Sequence, residues 1–191
     1  MLNLAEETDP RWVIRALTDL DLILLDHTHC EKKAAGAAVK LLFAYPHHRF
    51  MQEPLAELAR EELEHFERML GVLGERGIVY RSIRPSPYGA KLHECVRQGE
   101  PERALDVLLV AALIEARSCE RLKLLSEAVD EPELGKLMAG LLPCEARHHR
   151  LYVELAVQLA GDDRARERLH ELALEEAAIL REPAEMVRLH S

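Results

Sequence analysis

Apolar residues recur every three or four positions along most of this chain, which is the spacing of one face of an α-helix. Thr8-Asp9-Pro10 predicts a helix start, with a capping side chain and proline in the first turn. The pattern then runs to about Phe43, with a break near Thr18-Asp19. Pro46 and Pro54 bracket a short loop, and a second helix is expected from about Pro54 to Leu73, ended by Gly74 and Gly77. Residues 74–103 form a long connection carrying Pro85, Pro87, Gly89 and Gly99, with room for a short helix over 88–97. A third helix is expected from about Pro101 to Ala128 and a fourth from Pro132 to about Ala160. Gly161-Asp162-Asp163 is a stop followed by a fresh cap, and a fifth helix runs to Arg181, before Pro183. No stretch alternates with the period of two that a strand would need.

Short links join helices one to two and three to four, and one long link joins two to three. The expected fold is therefore all-α: a ferritin-like up-down four-helix bundle with one long crossover, plus an additional C-terminal helix. A chain of 191 residues fits one domain spanning 1–191.

Each long helix carries one predicted core stripe, and each stripe is interrupted by acids. The first reads Val13, Leu17, Leu20, Leu24, His27, Glu31, Ala35, Ala38 and Leu42. The second reads Leu55, Leu58, Glu62, His65, Met69 and Leu73; the third Leu105, Leu108, Ala112, Glu115, Cys119 and Leu122. The fourth reads Leu134, Met138, Leu141, Glu145, His148, Tyr152, Leu155 and Leu159. The inward acids and imidazoles fall in the order Glu, Glu-x-x-His, Glu, Glu-x-x-His. Glu115 follows Glu31 by 84 positions (115 − 31), and Glu145 and His148 follow Glu62 and His65 by 83 (145 − 62; 148 − 65).

An unpaired buried carboxylate costs several kcal/mol even after relaxation. Four of them on core faces need compensation, and two divalent cations supply it: the charges of four carboxylates and two M²⁺ ions cancel. Glu31, Glu62, His65, Glu115, Glu145 and His148 are thus the candidate metal ligands, a set of hard oxygen and borderline nitrogen that suits iron or manganese. A single Glu-x-x-His in a chain with 34 acids and 10 histidines is an ordinary solvated face; two, each preceded by an inward Glu at nearly equal distance, are not. Glu61, Glu64 and Glu67 fall off the stripe and are expected in solvent. His27, one turn from Glu31, reads equally as a partner of that carboxylate or as a satisfied core histidine. Cys119 reads as a small core residue, and His149 points about 100° away from His148.

Composition narrows the rest. Aromatics are 4% against 48% hydrophobic residues, so the core is built mostly of Leu, Ala and Val. The net charge of −9 argues against a broadly basic nucleic-acid binder but leaves room for a local patch. The four cysteines stand singly without a CxxC, which fits reduced thiols and a cytoplasmic protein. The start, MLNLAEETDP, is acidic and lacks an apolar core, so no signal peptide is expected, and no apolar run approaches the ~20 residues of a membrane span. The connection from Arg76 to His93 contains no Asp or Glu, yet carries Arg76, Arg81, Arg84 and Lys91 among Tyr80 and Tyr88; His47, His48 and Arg49 cluster in the first loop. Cations bind phosphates and aromatic rings stack on splayed bases, so Arg49, Arg81, Arg84 and Lys91 are candidate RNA contacts. The alternative is a loop that packs its tyrosines and solvates its arginines.

A reduced di-iron centre with open positions activates O2; hydroxylase, ferroxidase, peroxidase and catalase chemistries all remain open on that ground. The segments DHTHCEKKAA around Glu31, REELEHFERM around Glu62 and His65, IEARSCERL around Glu115 and CEARHHRLY around Glu145 and His148 resemble a bacterial tRNA hydroxylase family, as does the tail MVRLHS. The resemblance runs nearly the full length. It implies a non-haem di-iron monooxygenase that hydroxylates the isopentenyl group of 2-methylthio-N6-isopentenyladenosine beside the anticodon of tRNA. It also implies two iron ions on the six residues above, O2 as co-substrate, the tRNA anticodon loop as partner, and an external ferredoxin-like or reductase electron donor. The rival readings are another ferritin-like di-metal enzyme, of manganese catalase or aldehyde-processing oxygenase type, and a ferroxidase.

Overall fold

The computed structural model describes residues 2–183 and 185–191, and among them every regular element is an α-helix. In chain order these are α1 (Pro10–Thr18), α2 (Leu20–Ala44), α3 (Arg49–Glu75), α4 (Tyr88–Glu94), α5 (Glu102–Ala128), α6 (Pro132–Ala160) and α7 (Asp162–Arg181). They fall into two compact units. One unit, residues 19–85, is the α2–α3 hairpin with the segment that follows it. The other, residues 1–18 and 86–191, is built on the α5–α6 hairpin, with α7 against both helices, α4 against α7 and α5, and α1 against α5.

The expected break at Thr18-Asp19 is present, and it resets the helical phase. In α1 the buried residues are Trp12 and Ala16, whereas Leu17, expected on the core stripe, is exposed. From Leu24 onward the stripe holds: Leu24, His27, Glu31, Ala35 and Ala38 are all buried in α2. The second helix begins earlier than expected, at Arg49, so Pro54 lies inside it. A proline one turn into a helix removes only one backbone bond, and here the helix start is fixed upstream by Met51 N–H donating to the His48 carbonyl at 3.0 Å. Gly161 separates α6 from α7 with φ 88° and ψ 156°, a region that a side chain would strain.

The larger unit differs most from expectation at α5. This helix is buried around its whole circumference, not along one stripe, and the buried set includes Asp106, Arg117 and Arg121. Each charge is matched. Asp106 takes hydrogen bonds from the Arg97 backbone and guanidinium (2.9 and 2.7 Å) and from Arg168 (3.0 Å), which joins the chain after α4 to α5 and α7. Arg117 donates twice to Glu176 of α7, both at 2.8 Å, and Tyr88 of α4 donates to the same carboxylate at 2.9 Å. Arg117 also reaches Thr8, the Glu6 carbonyl and Glu120. Arg121 stacks on Trp12 of α1 at 4.5 Å and donates to the Leu189 and Ser191 carbonyls. Residues 188–190 are buried, with His190 stacked on Tyr88 and paired with Ser118.

The Arg117–Glu176 pair is fully buried on both sides. Removing one partner strands the other charge in a low dielectric, a loss of about 3–5 kcal/mol. Arg117→Leu is therefore expected to lower unfolding stability by that order, whereas Lys123→Leu, at an exposed position on the same helix, is expected to change it little; urea titration followed by circular dichroism checks both.

Candidate metal centre

Helical spacing places the six candidate ligands on core faces, and the structure buries all of them: Glu31, Glu62, His65, Glu115, Glu145 and His148 are each at most 7% exposed. Within the α2–α3 hairpin, Glu31, Glu62 and His65 come together, with ligand atoms lying within 4.8 Å of one another. His65 Nδ1 is 3.5 Å from Glu31 Oε2 and 3.8 Å from Glu62 Oε2. These separations exceed a good hydrogen bond, but two atoms that each bond one ion at about 2.1 Å can lie up to about 4.2 Å apart. The donor set and its spacing therefore fit a transition-metal ion held between the two helices. In the larger unit Glu115 stands on α5, and Glu145 and His148 stand one turn apart on one face of α6.

The electrostatics of the smaller unit point the same way. Burial would raise the pKa of Glu31, but the neighbouring His27, together with the nearby His65 and Glu62, outweighs it and holds the carboxyl well below the usual range. Burial would lower the pKa of His65, yet Glu31 and Glu62 push it up to about 11. A proton on His65 thus supplies the positive charge that these acids require.

His27 resolves into a partner of Glu31. Its Nε2 lies 2.9 Å from Glu31 Oε1, with both side chains 3% exposed. That contact occupies one carboxylate oxygen and leaves Oε2 facing His65. His149 is buried and turned away, its Nδ1 donating to the Ala112 carbonyl at 2.8 Å. Cys119 is buried core, 3.6 Å from the Leu142 carbonyl, and burial raises its thiol pKa. Glu64 and Glu67 are exposed and Glu61 is half-buried. Pro143 lies inside α6, two residues before Glu145, where it removes a backbone donor without ending the helix.

The candidate RNA contacts are surface residues. Arg49 opens α3, and Arg81 and Arg84 lie exposed on the segment after it. Lys91, on α4, is half-buried and ion-paired with Glu182. Sequence reasoning missed His29, Lys32 and Phe66 beside Tyr80: His29 stacks on Tyr80 at 4.8 Å and donates to the Arg81 carbonyl at 2.9 Å, and the Lys32 amine donates to the Tyr80 hydroxyl at 2.7 Å. Phe66 meets the edge of the same ring. Both His29 and Lys32 flank Glu31 within the segment DHTHCEKKAA, off the core stripe, which was the available signal.

Among the described residues no helix is long and apolar enough to cross a membrane. The model of the family described as tRNA-(MS[2]IO[6]A)-hydroxylase (MiaE) matches residues 2–191. A tRNA 2-(methylsulfanyl)-N(6)-isopentenyladenosine(37) hydroxylase of Pseudomonas putida is 40% identical over 185 residues, covering 96% of this chain and 89% of that protein. The protein of the same description from Salmonella typhimurium is 29% identical, covering 96% of this chain and 86% of its own. A solved structure described as Protein 43 with aldehyde deformylating oxygenase activity, from Synechococcus, superposes with a TM-score of 0.96 at 45% identity, covering 98% of this chain and 95% of that one. The all-α, ferritin-like class expected from the hydrophobic pattern is the class observed.

The raised pKa of His65 fixes the sign of a pH effect in the metal-free protein. A group held above its unfolded value of about 6.5 stabilises the fold fully below that pH. The contribution is lost as pH climbs toward 11. Metal-free protein is expected to melt at progressively lower temperature as pH rises from 7 to 10, and the His65→Gln variant is expected to lose that part of the slope; differential scanning calorimetry across pH checks it.

Proposed function

The chain belongs to the tRNA-(MS[2]IO[6]A)-hydroxylase (MiaE) family, and from that premise we propose that it hydroxylates the isopentenyl side chain of 2-(methylsulfanyl)-N6-isopentenyladenosine beside the anticodon of tRNA. The observation that carries the reading is the buried carboxylate–imidazole set, a combination of hard oxygen and borderline nitrogen donors that suits iron. Glu31, Glu62, His65, Glu115, Glu145 and His148 would hold two iron ions, completing one di-iron domain over residues 1–191. When bound, reduced iron supplies the O2 activation that a hydroxylation needs. The balance is one C–H bond converted to C–OH and one water formed, from O2, two electrons and two protons. No flavin, haem or iron–sulfur motif is present in the sequence to store those electrons, so they come from an external ferredoxin-like or reductase donor. The substrate is RNA, and the cytoplasm is the compartment that supplies it.

The chain's own residues set the conditions for this chemistry. The Leu, Ala and Met of the core stripes exclude water from the reacting carbon. His27, 2.9 Å from Glu31 Oε1, would help to orient that carboxylate toward a bound ion. Arg49, Arg81 and Arg84 offer exposed cations to RNA phosphates.

The likeness to the Synechococcus oxygenase favours a second reading, in which an aldehyde is the substrate. Iron-loaded protein given reductant, O2 and either prenylated tRNA or a fatty aldehyde separates the two. A gain of one oxygen on the prenylated base, seen by nucleoside mass spectrometry, is the expected outcome; consumption of aldehyde with the base unchanged replaces it with the second reading. On the metal side, Glu115→Ala and His148→Ala are each expected to abolish stoichiometric iron at retained helicity. His27→Ala is expected to keep the site but weaken it about 10- to 100-fold, and His27→Gln, which still donates, to recover part of that loss; metal titration with Co(II) and its ligand-field spectrum reads both.

A further inference from the structure

The sequence from Lys32 to Gln52 contains no Asp or Glu, in a chain with 34 of them. Helical spacing gathers its residues onto one outward arc of α2: Lys32, Lys33, Val39, Lys40 and Phe43 fall within about 120° of one another, and every one is exposed. Phe43 is 83% exposed, the largest exposure among the exposed large apolar residues described. The turn beyond it continues the same chemistry. His47 and Arg49 are exposed, and the His47 and His48 rings lie 4.3 Å apart, with Phe50 5.6 Å from His48. The acids of α3 begin only at Glu53. This face is also joined to the second acid-free stretch: Lys32 donates to Tyr80 and His29 to the Arg81 carbonyl, so the segment bearing Arg81 and Arg84 is pinned beside the start of the arc.

We propose that this outer face of α2, from Lys32 to the turn at Arg49, is the surface that binds the anticodon arm of the RNA substrate, with Phe43 as the platform on which an unpaired base stacks. The inference rests on the RNA reading above and extends it to a defined surface. A bare phenylalanine on a helix is an apolar liability in water; with lysines on its own arc, histidines in the turn beyond and no acid from Lys32 to Gln52, it matches a polyanion with accessible base faces. The helical arc is about 16 Å long at ~1.5 Å per residue, the span of roughly five phosphates along one strand at ~3.4 Å each. Phe43 stands twelve residues beyond Glu31, or about 18 Å along the axis. The base it holds is therefore several nucleotides from the reacting one, which anchors the loop while the prenyl group reaches the buried ligands.

The test is fluorescence anisotropy of the full-length protein with a labelled anticodon stem-loop RNA, at several salt concentrations. Phe43→Ala is expected to weaken binding about 5- to 100-fold, as loss of one stacked base does, and Phe43→Trp to retain it. Lys40→Gln is expected to weaken binding and lower the salt slope by about 1. Leu174→Ala, an exposed apolar position on α7, is expected to leave affinity unchanged. Wild-type affinity in both Phe43→Ala and Lys40→Gln overturns this surface while leaving the RNA reading intact. The surface is likewise overturned if those variants lose only binding to phosphatidylserine vesicles, or change only the oligomeric state on size exclusion. Absence of any RNA binding by the unmodified protein overturns the substrate reading together with the surface.

Discussion

A carboxylate in an apolar interior must be given a positive partner, and this chain answers that requirement in two ways. Asp106 and Glu176 are met by guanidinium groups: Arg97 and Arg168 on the first, Arg117 on the second. Those acids are complete within the protein and serve to lock helices together. Glu31 and Glu62 are met by the imidazole of His65, whose pKa they push up. An imidazole is charged only while it keeps a proton that it can also give up. Acids compensated by arginine are permanent structure; acids compensated by a displaceable proton are ready to take a cation instead.

The long helices and the six buried residues are readable from spacing because a helix face repeats every three or four positions. Elsewhere periodicity carries no information. A stripe drawn through one continuous helix puts Leu17 inside, but the break at Asp19 turns it toward solvent in favour of Trp12 and Ala16. Pro54 reads as a helix start, because a proline cannot say whether it stands at the first helical position or one turn in. The arginines of α5 are invisible as core residues in the sequence. A guanidinium is buried only when partners from distant segments arrive, and those partners lie 59 and 68 residues away for Glu176 and Leu189. The pairing of His27 with Glu31 is within reach of the i, i+4 spacing, but which carboxylate oxygen it holds depends on side-chain rotamers that spacing does not encode.

Overall charge is a poor guide to partners. The chain is acidic by nine charges, yet its acids are distributed unevenly. Several lie in the core, where they are neutralised, and the outer arc of α2 has none. A polyanion meets the local surface, because screening limits its view to about 10 Å. The flanking word IEARSCERL shows the same division at finer scale: Glu115 is a buried acid of α5, while Arg117, Ser118, Glu120 and Arg121 organise Thr8, Glu176, His190 and the carbonyls of Leu189 and Ser191.

That clasp has a consequence for how the chain is made. Arg121 emerges from the ribosome well before Leu189 and Ser191, whose carbonyls it binds, and Trp12 waits nearly the whole of synthesis for the Arg188 carbonyl. The buried cations of the larger unit are therefore satisfied late, once residues 176–191 have been made. The α2–α3 hairpin, whose two helices pack against each other across one short turn, can close from nearby sequence. Maturation is thus ordered in time: the hairpin brings Glu31, Glu62 and His65 together from nearby sequence, and the clasp closes only once residues 188–191 have been made.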